Sequence, residues 1–107
     1  MHARITTAEV KPGLMDEFVA IVQASQAEAH NHADARQGHR ETHLLVDREK
    51  NKVVAIGLWE TEEGMRTSMA SSWNQAMAER LSPLMVAPPH REFFEVAVNR
   101  SVDQRSK

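Results

Sequence analysis

The segment VVAIGLWETEEG, residues 53–64, sets Trp59, one of two tryptophans in the chain, on the same strand face as Ala55 and Gly57. A flat indole beside small residues leaves space that other core side chains must fill or a ligand will. Two roles stay open for Trp59: a core or interface aromatic, or a pocket wall that stacks on a planar molecule. Met65, Met69, Met77 and Met85 follow it. Their flexible thioethers fill irregular core gaps and also line promiscuous pockets. Arg4 and Thr6 share a face of the first strand, and Glu95 and Asn99 share one on the last. Arg4 either pairs with Glu95 as a structural ion pair or faces a cavity, where a guanidinium binds an anion.

His30, His32, His39 and His43 crowd one region, and imidazole is both a metal ligand and a base near neutral pH. A metal site needs convergent ligands, however, and HNHADARQGH reads as a polar loop with Glu28, Asp34 and Glu41 nearby to pair with the imidazoles. No metal and no cofactor are expected. His43, on a strand, is the best placed of the four for a pocket, and a one-residue slip in register decides which face it takes. The chain has no cysteine and no tyrosine, which excludes disulfides, thiolate chemistry and a phenolic acid or base. It contains no Ser-His-Asp set, glycine-rich phosphate loop or spaced carboxylate dyad.

These residues need a scaffold. A length of 107 residues predicts one domain over residues 1–100 with a polar tail, residues 101–107, expected to fray. A formal net charge of -2 argues against a nucleic-acid partner. No apolar run reaches the roughly 18 residues of a membrane span, and MHARITTAEV lacks signal-peptide regions, so a cytoplasmic location is expected. ARITTAEV reads as a strand, and from Leu14 the spacing of Leu14, Phe18, Ile21, Val22 and Ser25 predicts a helix to about His30. ETHLLVD and KVVAIGLWE flank REKN as an antiparallel hairpin. Thr61 caps a helix over EEGMRTSMA, and Ser72 with Gln75 has capping-box form for a second piece that buries Trp73, Met77, Leu81 and, after a break, Leu84. Pro83 ends that piece, and REFFEVAVN is the last strand.

The order is strand, helix, strand, strand, broken helix, strand: an α+β, ferredoxin-like βαββαβ fold with a four-stranded antiparallel sheet. Val54, Ile56 and Leu58 are apolar on one face of the third strand, with Phe94, Val96 and Val98 on one face of the fourth. Val53, Ala55 and Gly57 are apolar or small on the opposite face. Helices cover one side alone, so a homodimer or higher oligomer joining the other sides is expected.

VKPG after the first strand, the hairpin HLLVDREKNKVVAIGLWETEE and the closing PPHREFFEVAV resemble the antibiotic biosynthesis monooxygenase-like proteins of the dimeric α+β barrel superfamily. The resemblance runs to about Arg100, and its most specific piece is the Trp-Glu-x-Glu-Glu segment. It implies two subunits closing their sheets into one barrel. It further implies a cofactor-independent monooxygenase-like protein that binds a planar aromatic or quinone-like molecule between sheet and helices. Trp59 stands where polyphenol oxygenases of the family keep a tryptophan. Ala55 stands where they have an asparagine, Met65 near their tyrosine, and Thr6 or Thr7 near the first-strand asparagine of haem-degrading relatives. The helical histidine that ligates haem in those relatives has no counterpart between Trp59 and Pro89. The pocket candidates are therefore Trp59, His43, Thr6, Arg4, Ala55, Gly57, Met65 and Met69. A non-catalytic dimer that binds a small ligand or serves a stress or accessory role is the alternative, with haem binding or degradation behind it.

Overall fold

The computed structural model describes residues 1–29, 31–100 and 102. The tail, other than residue 102, and His30 lie outside the described residues. Strand β1 spans His2–Glu9 and helix α1 Met15–Ala29; a four-residue helix α2, Ala33–Arg36, follows. Strands β2 (His39–Asp47) and β3 (Lys52–Trp59) form the hairpin. Helices α3 (Glu62–Met69) and α4 (Ser72–Leu81), a 3-10 turn at Ser82–Leu84 and strand β4 (His90–Glu95) complete the chain. The four strands pair antiparallel in the order β2-β3-β1-β4, so the sheet and its helices have the ferredoxin-like arrangement. Among the described residues no helix is long and apolar enough to cross a membrane.

Four local expectations change. HNHADARQGH is not all loop, because residues 33–36 close one helical turn before Gly38 takes a left-handed conformation (φ 68°). The second cap is Ser71 rather than Ser72: its hydroxyl accepts from the Asn74 amide at 3.1 Å, which makes Ser72 the first helical residue. Strand β4 ends at Glu95, and Val98 is 83% exposed beyond it. Arg4 stands opposite Phe93 with Glu95 diagonal to it opposite His2, and no ion pair joins Arg4 to Glu95. Thr61 does cap α3, accepting from the Gly64 amide at 3.0 Å. That turn also needs a glycine, since a Cβ at Gly64 would lie 2.5 Å from the Gln37 carbonyl oxygen.

The registers sort the sheet into two faces. His2, Arg4, Thr6 and Ala8 of β1 align with Trp59, Gly57, Ala55 and Val53 of β3 on the helix side. There Ala8, Val10 and Val53 pack with Met15 and Phe18 of α1 and with Leu81 and Leu84. Each large side chain in that cluster contributes about 1.5–3 kcal/mol by burial. A smaller cluster joins Ala29 to Trp73, with Met77 packed against it. Trp73 also ties α4 to α1, its Nε1 donating to the Ser25 carbonyl at 2.8 Å. The side chains of the sheet between these clusters are small, and the helices do not close down on them. The opposite face carries Ile5, Val54, Ile56 and Leu58, with Leu45 51% and Phe94 49% exposed.

Candidate functional site

Trp59 closes β3 and is 3% exposed. Its side chain points to the helix side, the side a Cβ at Gly57 would also take, and the indole folds back across that glycine. A Cβ at residue 57 would lie 2.5 Å from Trp59 Cη2 and 2.6 Å from Cζ3. Part of the space beside the small residues is thus taken by Trp59 itself, and Gly57 is what allows the ring to lie there.

The rest is a cavity of about 110 Å³ between sheet and helices. That is far more than one water requires. Ala55, Gly57 and Trp59 form its floor, and Phe18, Trp73 and Met77 come from the helices. Arg4 and Thr6 enter from β1, His39 and Thr42 from β2, and Arg91 from β4. Five of the eight pocket candidates read from sequence line this space: Trp59, Thr6, Arg4, Ala55 and Gly57. His43, Met65 and Met69 do not. His43 aligns with Ile56 on the far side of the sheet, where its Nε2 meets Glu41 Oε1 at 2.9 Å. Met65 is buried on α3 and Met69 lies one turn on; the methionines that reach the cavity are Met77 and Met85.

The histidine of the cavity is His39, and a bulge puts it there. In a regular ladder Arg40 would face Trp59, two residues from Thr42. Instead the register shifts between His39 and Glu41, which aligns His39 with Trp59. Arg40 is turned out to pair with Glu60 at 3.1 Å. The His39 ring sits 5.1 Å from the indole, centroid to centroid, tilted by 34°. Its Nε2 lies 3.0 Å from the Glu41 carbonyl oxygen and 2.6 Å from Thr42 Oγ1. A carbonyl only accepts, so Nε2 carries the proton and Nδ1 is the unprotonated nitrogen. Burial lowers the His39 pKa from its ordinary 6.5, the hydrogen bond to Glu41 opposes that, and the charge of Arg4 adds to it. His32 is exposed, and among the described residues no group of three or more His, Asp or Glu converges on a metal position.

Arg4 places its guanidinium carbon 5.3 Å from the Trp59 ring centroid, a cation–π contact. Burial, and then repulsion from Arg91, lower its pKa from 12.5 to about 10, so it remains charged at neutral pH. Trp59 Nε1 is buried without a hydrogen-bond partner among the described residues. An unpaired buried donor costs about 1–3 kcal/mol. The cavity therefore combines flat apolar walls, an imidazole free at one nitrogen, and two guanidinium groups without an ion-pair partner among the described residues. Of the residues missed from sequence, Arg91 had a visible signal, since it shares the alternation of Phe93 and Glu95 on β4.

The fold and this cavity define a small α+β protein of the ferredoxin-like class with an internal space of about 110 Å³ between its sheet and helices. No family model matches the sequence, and no curated protein does. Solved structures do match over most of the chain. A proposed antibiotic biosynthesis monooxygenase of Nitrosomonas europaea aligns with a TM-score of 0.78 at 12% identity, over 92% of this chain and 100% of that one. A second, from Caulobacter crescentus, aligns at 0.78 and 15% identity, over 91% and 90% of the two chains. SnoaB, a cofactor-independent oxygenase from Streptomyces nogalater, aligns at 0.73 and 23% identity, over 92% and 94%. The chain shares the fold of the antibiotic biosynthesis monooxygenase-like proteins.

Proposed function

We propose that this chain binds a planar aromatic or quinone-like molecule in the cavity and acts as a small cofactor-independent monooxygenase. The observation that carries the reading is the cavity itself, with Trp59 over Gly57 on one side and Phe18, Trp73 and Met77 on the other. A flat ring entering there removes apolar area from water on both faces, at roughly 25 cal/mol per Å². The fold shared with SnoaB suggests the reaction class. A ring methylene acidified by conjugation to a carbonyl loses a proton, and the carbanion is oxidised by dioxygen directly; CH2 and O2 become C=O and H2O. The protein contributes orientation, exclusion of water and a base. His39 Nδ1 fits the base, because the lowered pKa keeps the ring neutral at pH 7.

A second reading, a non-catalytic ligand-binding or accessory protein, is favoured by Ala55, which brings no polar atom to the middle of the cavity floor. Oxygen uptake separates the two. Planar aromatics, anthrone and 1,4-naphthoquinone among them, are first screened by thermal shift, and each binder is then followed with an oxygen electrode. The oxygenase reading expects uptake with a reduced binder such as anthrone, reduced at least about tenfold in His39→Gln by loss of the base. Binding without uptake leaves the accessory reading, and no binding removes both.

The working unit in this reading is a cytoplasmic homodimer in which two sheets meet outer face to outer face as an α+β barrel. The exposed Leu45 and Phe94 beside Ile56 support it.

A further inference from the structure

Among the described residues, the charged side chains on the cavity wall are Arg4 and Arg91, joined by the titratable His39, and no Asp or Glu lines it. The two arginines lie diagonally across the β1–β4 pair, since Arg91 aligns with Thr6 and Arg4 with Phe93. Such diagonal neighbours are within reach of one another and of a shared ligand. Neither guanidinium has an ion-pair partner among the described residues. Of the β4 carboxylates, Glu92 aligns with Ile5 on the outer face, while Glu95, aligned with His2, lies diagonal to Arg4 on the inner face at the strand end without forming an ion pair with it. A half-buried cation ordinarily finds a counter-ion, and this one has a second cation instead.

We propose that the ligand of this cavity is a planar aromatic acid, its carboxylate held between Arg4 and Arg91 and its ring lying along Trp59 between sheet and helices. The inference rests on the reading that the cavity takes a planar aromatic and adds the charge of that molecule. A guanidinium fork matches the two oxygens of a carboxylate, and one negative charge relieves the repulsion between the arginines. Stacking on Trp59 holds the Arg4 fork in place before the ligand arrives. Arg91, exposed on the edge strand, is the more accessible of the two arginines to an acid arriving from solvent.

The test is calorimetric titration with 2-naphthoate and with neutral 2-naphthamide, two molecules of nearly the same shape. The naphthoate binds at least about tenfold more tightly, the value of one charge-assisted contact. Arg91→Gln and Arg4→Gln each remove most of that preference while the amide binds as before. Unchanged amide binding also reports that a variant is folded, and Arg91→Gln carries the test alone if Arg4→Gln does not fold. Equal affinity for acid and amide, or a preference that survives in Arg91→Gln, overturns the carboxylate site and leaves the aromatic cavity standing. Binding of neither molecule overturns both.

Discussion

Trp59 and Gly57 are one unit at the level of residues. The indole needs the absence of a Cβ at residue 57, since one would lie only 2.5 and 2.6 Å from two of its ring carbons. Gly57→Ala is expected to lose about 1–3 kcal/mol, the usual cost of overpacking, measured by urea denaturation, with a shift in tryptophan emission. His39 makes a pH-dependent contribution. Its folded pKa lies below the unfolded 6.5, so the unfolded chain takes up the proton first as the pH falls. The stability that His39 allows is complete above pH 6.5 and is lost as the pH drops from there through the folded value. Unfolding midpoints at pH 7.5 and pH 5 should differ more in the wild type than in His39→Gln; an equal difference would remove the burial argument. The Trp59–Gly57 relation was legible in the sequence, because residues two apart on a strand share a face. The choice of His39 over His43 was not. A one-residue bulge at Arg40 exchanges the faces of everything before it, and no residue type there announces a bulge.

Elements read well where a side chain closes its own boundary. Thr61 accepts the Gly64 amide, and both the residue type and its place before an acidic first turn were visible beforehand. Thr61→Ala is expected to cost about 1 kcal/mol, seen as a lowered denaturation midpoint with an unchanged slope. A loss below about 0.3 kcal/mol would mean that packing of α3 against the sheet, not its cap, fixes that end. Adjacent serines defeated the same logic one helix later. Ser71 and Ser72 both have the hydroxyl, and only the path of the chain from Ala70 decides which one accepts from Asn74. The short α2 was hidden for a different reason. Four residues present no periodicity, and the turn is held from outside by the approach of Gly64 to Gln37.

The whole molecule has a sheet that is apolar on both faces and helices on one. The element order and the two-sided pattern were enough to read the fold, which solved structures at 12–23% identity share. The proposed homodimer would cover the outer face, where Leu45 and Phe94, each about half exposed, flank a stripe of Ile5, Val54, Ile56 and Leu58. Ile56→Glu is expected to convert a homodimer into a monomer by light scattering with the circular dichroism of the fold retained. A wild-type monomer at micromolar concentration would contradict the barrel. The cavity lies on the other side of the sheet, so its binding chemistry can be tested apart from assembly.

Calorimetric titration of 2-naphthamide and anthrone into the wild type and into Ala55→Leu tests the central claim most directly. Ala55 lies on the cavity floor between Thr6 and Leu44, and a leucine there fills space with three more carbon atoms without adding charge. The account predicts one ligand per chain in the wild type and an affinity at least about tenfold lower in a still-folded Ala55→Leu. Binding of equal strength in both proteins, or none in the wild type, would contradict it.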